Sequence, residues 1–165
     1  MNLATNYLGL RLRSPFIVGA SPFCENSGAA RQLQDAGAGA IVMRSLFEEQ
    51  IDAEEKALIH HMETPADSNP EATSYFPQFA EYQLSPDRYL RQIEELKRVL
   101  SIPVIGSLNG ARPGGWTDYA RRFESAGADA IELNLYQLIT DAEMAGDEVE
   151  ADMVETVRQV AASVR

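Results

Sequence analysis

The sequence is short of cysteine, histidine and basic residues, and each shortage removes a class of protein. One cysteine, Cys24, stands in 165 residues, so no disulfide can form within the chain and a reducing compartment is expected. Fourteen Lys and Arg face 25 Asp and Glu, a formal net charge of −11. That balance lacks the clustered positive charge that nucleic acids and anionic membranes need, so neither is expected as a partner. No window approaches the roughly 20 apolar residues of a spanning helix, and residues 1–13 lack a signal-peptide core, which points to a soluble cytoplasmic protein. The two histidines, His60 and His61, are adjacent and would diverge on a helix, so no metal pair is expected.

What remains is globular, with 45% apolar and 24% charged residues. A chain this long can bury roughly 70% of its unfolded surface in one core. A repeated phrase organises it: Leu33-Gln34-Asp35-Ala36-Gly37-Ala38-Gly39-Ala40-Ile41 and Phe123-Glu124-Ser125-Ala126-Gly127-Ala128-Asp129-Ala130-Ile131. Each reads as a helix closed by glycine, a short loop and a buried strand. Strands are expected from Phe16, Ala40, Pro103 and Ala130. Helices are expected over 26–36, 86–100, 117–126 and 150–164, the second opened by Ser85, Pro86 and Asp87. Residues 3–7 and 10–13, around Leu8-Gly9, suggest a small hairpin. An acidic helical stretch from Glu48 to His61 and a long loop from Thr64 to Ser85 separate the second and third strands.

Four βα units imply a parallel sheet with helical crossovers. A fifth strand is due after the last helix and is missing. The expected fold is therefore α/β, the N-terminal half of a (βα)8 barrel in a single domain over 1–165, in preference to a complete doubly wound sheet.

In such folds the carboxyl ends of the strands build the site. Ser21, Arg44, Ser45, Ser107, Asn109, Asn134 and Tyr136 all fall at those ends. Alternation on the fourth strand puts Glu132 and Asn134 on the inward face; Arg44 is expected either to partner a buried Glu132 or, with Asn134, to hydrogen-bond a planar, polar ligand at the mouth. Four glycines between Gly106 and Gly115 lack the ending of a phosphate loop and are read as an ordinary βα loop. Cys24, with no histidine near it in sequence, is read as a passive thiol. The acids Asp141, Glu143, Asp147, Glu148, Glu150, Asp152 and Glu155 are read as a solvated helix face.

The segments Ser14 to Pro22, Ala40 to Ile51 and Ile131-Glu132-Leu133-Asn134-Leu135 resemble the dihydroorotate dehydrogenase family, more closely its bacterial dihydroorotate-dehydrogenase-like branch, over the N-terminal half only. The resemblance implies an FMN-dependent oxidoreductase of the barrel type, a flavin-dependent dehydrogenase acting on CH–CH bonds, which oxidises dihydroorotate to orotate in pyrimidine biosynthesis by hydride transfer to flavin. It implies flavin contacts at Ala20, Ser21, Arg44, Ser45, Asn109 and Asn134, with Arg44 where the family has lysine. The family's base position is Gln137, an amide that cannot take a proton, so the catalytic residue is unknown and the substrate is separate from the flavin expectation. The isolated chain is expected to be inactive, and to associate with itself or a second half-barrel across its open edge. Two other classes stand beside this reading: a non-redox half-barrel binding or assembly module, and a barrel enzyme acting on a phosphorylated metabolite.

Overall fold

The computed structural model describes residues 2–49, 86–110, 113–136, 139–140 and 143–165. In chain order these form β1 (Thr5–Tyr7), β2 (Leu10–Leu12), β3 (Ile17–Val18), a 3-10 turn (Pro22–Cys24), α1 (Ser27–Asp35), β4 (Ala40–Val42), β5 (Leu46–Phe47), α2 (Pro86–Val99), β6 (Val104–Asn109), α3 (Pro113–Ser125), β7 (Ala130–Leu133) and α4 (Gly146–Ser163). The expected helix at 48–61, the loop at 64–85 and the cap at Ser85 lie outside the described residues, apart from Glu48 and Glu49.

The repeated phrase is a repeated cap. Gly37 and Gly127 adopt left-handed backbone, with φ of 110° and 95°. After α1, Ala38 N–H donates to the Leu33 carbonyl at 3.1 Å and Gly37 N–H to that of Gln34 at 3.0 Å. After α3, Ala128 N–H reaches Phe123 at 3.0 Å and Gly127 N–H reaches Glu124 at 2.9 Å. Both are the paired bonds of a Schellman ending, which reverses the chain and points it into the next strand. Asp129 then accepts from Val104 N–H at 2.8 Å and pairs with Lys97 Nζ at 2.6 Å, tying the start of β7 to β6 and α2.

The strands pair in parallel in their chain order: β3 with β4, β4 with β6, and β6 with β7. The short β5 continues β4 along the same edge of β6, pairing Leu46 with Leu108 and Phe47 with Asn109. The antiparallel hairpin β1–β2 turns through Leu8 and Gly9, both left-handed at φ 51° and 75°, as a type I′ turn requires.

Alternation separates two faces. Ile41, Met43, Leu46, Val104 and Leu108 pack with Ala30 of α1, Tyr89, Ile93 and Leu96 of α2, Trp116, Ala120 and Phe123 of α3, and Val160 of α4. The opposite face holds a smaller cluster of Ala40, Val42 and Ile105, covered by Leu12 of the hairpin. All four helices thus contribute to one face of the sheet, and the hairpin plugs the amino-terminal end of the other.

Two helices begin earlier than their apolar spacing indicates. The α3 helix starts at Pro113 and α4 at Gly146, because proline and the acids Asp147 and Glu148 suit a first turn whatever the later periodicity. The expected apolar side of α4 is buried at Val160 only; Val157 is 45% exposed. The acids of α4 and its approach, from Glu143 to Glu155, are solvent-exposed as expected, while Asp141 lies outside the described residues.

Of the four glycines from Gly106 to Gly115, only Gly110 lies between β6 and α3; Gly106, Gly110 and Gly115 are packing residues, and Gly114 faces open space. A Cβ on Gly106 would stand 2.6 Å from the Phe123 ring, and one on Gly110 would stand 2.7 Å from Trp116. Gly106→Ala is expected to push Phe123 out of its stack on Tyr89, where the ring centroids are 4.9 Å apart, and to cost about 1–3 kcal/mol of unfolding free energy in a urea titration.

Candidate functional site at the carboxyl ends of the strands

The site originates in one extra residue. Between the pairs Val42–Ile105 and Leu46–Leu108, the β4–β5 side has three residues, Met43, Arg44 and Ser45, against Gly106 and Ser107 on β6. This bulge shifts the alternation by one, so Ser45 joins Phe47 on the face opposite the helices. Ser45 Oγ lies 2.7 Å from Ser107 Oγ, and Asn134 Nδ2 lies 2.5 Å from Ser45 Oγ and 3.2 Å from Ser107 Oγ. Ser107 Oγ donates to Glu132 Oε1 at 2.7 Å. Four polar side chains from the β4–β5 segment, from β6 and from the end of β7 are thereby locked together at the carboxyl ends of the strands.

Tyr89, which motif reading missed, completes the bulge. Alternate backbone groups of β6 serve opposite edges: Ile105 carbonyl accepts from Met43 N–H at 2.9 Å, while that of Leu108 accepts from Asn134 N–H at 2.9 Å. Ser107 therefore turns its backbone groups toward the bulged edge. There the Tyr89 hydroxyl takes both, accepting from Ser107 N–H at 2.9 Å and donating to Ser107 carbonyl at 3.2 Å. Burial pushes the phenol well above its usual range; the Ser107 backbone bond opposes this, Glu132 and Glu25 add to it, and Arg44 opposes it. The only signal in the sequence is the spacing Tyr89, Ile93, Leu96, which marks a core position and gives no hint of a polar task.

Arg44 does not meet Glu132, and Glu132 is not buried, which corrects both expectations. The bulge sends Arg44 toward Glu25 instead, with Nε 2.8 Å from Oε1, an ion pair whose angle does not make a hydrogen bond. Glu132 is solvent-exposed on β7 and has Ser107 as its partner. The charge of Arg44 is thus paired with Glu25 and not with the Ser45–Ser107–Asn134 cluster.

The other expected residues are more loosely placed. Ala20 is exposed and Ser21 half-buried just after β3; Ser21 Oγ lies 3.6 Å from Cys24 Sγ. Cys24 is fully buried and donates to Gly19 carbonyl at 3.4 Å, as a passive thiol would. Asn109 pairs with Phe47 through the backbone at the end of β6, and Tyr136 is 81% exposed. Gln137 lies outside the described residues. Among the described residues no group of three or more His, Cys, Asp or Glu could hold a metal, and no helix is long and apolar enough to cross a membrane.

The amino end of α3 is filled from within the chain. Glu48, 2% exposed, lays its carboxylate against Gly115, where any Cβ would collide with it. The position that would favour a phosphate is already filled by the Glu48 carboxyl group.

Fold and cluster together define an α/β protein with parallel strands and a polar site at their carboxyl ends. No family model matches the chain. Over 143 residues it is 29% identical to the dihydroorotate dehydrogenase B (NAD(+)) catalytic subunit of Methanocella arvoryzae, an alignment covering 82% of this chain and 41% of that protein. Over 35 residues it is 54% identical to a putative dihydroorotate dehydrogenase A (fumarate) of Aeropyrum pernix, covering 21% of this chain and 11% of that one. The chain spans less than half the length of these curated relatives.

Proposed function

We propose that this chain is the N-terminal half of a (βα)8 barrel that binds FMN, and that the whole protein is an oxidoreductase of the dihydroorotate dehydrogenase type. The interlocked Ser45–Ser107–Asn134 cluster at the carboxyl ends of the strands is the observation that carries this reading. The half-barrel is supported by strands that run parallel in chain order with every described helix packed on one face, whereas a doubly wound sheet carries helices on both. The covered lengths of the relatives agree with half a protein. The second half, or another copy, would cover the free edges of β3 and β7.

The residues present fit a flavin. Ala20, exposed, and Ser21, half-buried, follow β3, Asn134 and Ser45 offer a polar edge, and Asn109 a further amide at the end of β6. When bound, FMN would supply the hydride acceptor. Asn134 and Ser45 would orient it, while Arg44, where the resemblance expects a flavin contact, is paired with Glu25. The position where the resemblance expects the catalytic base is Gln137, an amide that cannot take a proton, so dihydroorotate is the less supported part of the reading.

FMN titration of the purified protein tests this. Quenching of flavin fluorescence is expected, and Asn134→Ala is expected to weaken binding by about tenfold, the loss of one or two hydrogen bonds. Absence of FMN binding overturns the flavin reading; binding without bleaching of the visible band by dihydroorotate separates cofactor from substrate. The cluster gives no comparable support to a phosphorylated ligand, since Glu48 occupies the helix terminus that would receive one.

A further inference from the structure

Two unpartnered surfaces stand at opposite ends of the sheet, and each lacks what the other has. A helix that joins two parallel strands lies over both, as α3 lies against β6 and β7. Among the described residues α4 follows a strand, β7, and leads into none, while β3 leads into a helix, α1, and follows none. The side chains show the consequence. On α4, Val149 and Met153 are half-buried and Val160 is buried, whereas Val154, Val157 and Ala161, at i, i+3 and i+7, form a second apolar stripe on which the valines are 55% and 45% exposed. At the other end, Phe16 carries on the β3 ladder, its carbonyl accepting from Gly39 N–H at 2.7 Å. Alternation puts the Phe16 ring on the same side as Val18, the helix-bearing face, and there it is 67% exposed. Charge divides the same way. Residues 1–44 hold four arginines against Glu25 and Asp35, and residues 129–165 hold nine acids against Arg158 and Arg165. Like ends of two copies repel, and unlike ends attract.

We infer that the partner of this chain is a second copy of itself, docked head to tail, with α4 and the edge of β7 in one copy seated on Phe16 and the edge of β3 in the other. Among the described residues β3 pairs only with β4 and β7 only with β6, so both edges are open to a further parallel strand. Each copy supplies β3, the β4–β5 segment, β6 and β7, and two sets of four complete the eight strands of a barrel. Two identical contacts therefore close on a two-fold axis, where a head-to-tail contact would otherwise run on into a filament. The inference rests on the half-barrel reading above and names what closes it.

Sedimentation equilibrium of the purified chain at micromolar concentration tests this. The expected species is a dimer of twice the 18.2 kDa chain. Val157→Glu and Phe16→Lys, both at exposed positions, are each expected to weaken self-association by about tenfold or more while circular dichroism stays native. Val154→Glu is the second variant on α4 should Val157→Glu fail to fold. Mixed in equal amounts, the α4 and β3 variants are expected to form a heterodimer: one contact then sets the two introduced charges against each other and the other contact is native, whereas either variant alone spoils both. A native chain that sediments as a monomer overturns the inference and leaves the half-barrel reading standing, because a second half in the same polypeptide could cover both surfaces. A dimer that survives the substitutions, or that the mixture fails to restore, has its contact elsewhere and overturns the inference, as do masses that climb past the dimer. A monomer in which Val157→Cys resists alkylation as the buried Cys24 does overturns both, the surface then being covered from within the chain.

Discussion

Gly39→Ala is expected to be among the most damaging single-methyl changes in the chain. The segment from Arg13 to Phe16 lies backbone to backbone across the loop that closes α1: Arg13 Nε donates to Ala38 carbonyl at 2.8 Å, Ser14 Oγ to Gly37 carbonyl at 2.7 Å, and Gly39 N–H to Phe16 carbonyl at 2.7 Å. A Cβ on Gly39 would fall on the Ser14 carbonyl oxygen. Because the obstacle is backbone, no rotamer relieves it, and either the β3–β4 pairing or the loop must move. The cost is expected to be about 3 kcal/mol or more, at the upper end of overpacking, and to lower Tm by about 6–12 °C. Two other glycines calibrate it. Gly37→Ala meets open space and carries only the strain of its positive φ, about 1–2 kcal/mol. Gly146→Ala also meets open space, with ordinary backbone in α4, and should be neutral or slightly stabilising. Thermal unfolding of the three variants followed by circular dichroism gives the order; a Gly39→Ala protein as stable as Gly146→Ala would refute the packing argument.

The same loop shows which parts of the fold the sequence makes legible. Gly37 and Gly127 announce themselves because few residues other than glycine tolerate the left-handed closing position, and the apolar run after each can only be a strand. From those two points the βα order follows, and with it the residues at the carboxyl ends of the strands. Ser45, Ser107 and Asn134 were reachable that way, and the structure does bring them together. The bulge was not reachable. A one-residue excess in a strand leaves no mark on composition, yet it reverses which of Arg44 and Ser45 turns to the site. Strict alternation therefore paired Arg44 with Glu132, and the shifted phase gave Arg44 to Glu25. The packing tasks of Gly106, Gly110 and Gly115 were not legible for a related reason: only the folded chain shows that Phe123, Trp116 and Glu48 exclude a side chain there.

Tyr89→Phe removes one oxygen and is expected to unsettle the site from beneath. The phenol hydroxyl is the partner of both backbone groups of Ser107, in a place where the bulge denies them a ladder partner and burial denies them water. Phenylalanine keeps the stack on Phe123 while leaving a buried N–H and a buried carbonyl unpaired. At about 1–3 kcal/mol for each unsatisfied group, a loss of about 2–4 kcal/mol is expected, larger than the transfer gain of the more apolar ring. Alkaline titration separates this from simple repacking. Because the folded protein holds the phenol protonated above its ordinary value of 10.0, the stabilisation is complete below about pH 10. Above that pH the unfolded chain releases the proton while the folded chain keeps it, so stability declines as pH rises. Tyr89→Phe should abolish this share of the alkaline slope in Tm measured from pH 9 to 11. A variant as stable as the native protein, with an unchanged slope, would mean that the Ser107 backbone finds other partners. Loss of stability accompanied by weaker FMN binding would tie the bulge to the orientation of Ser45 and Asn134, since the hydroxyl touches the backbone of Ser107 and reaches the mouth only through it.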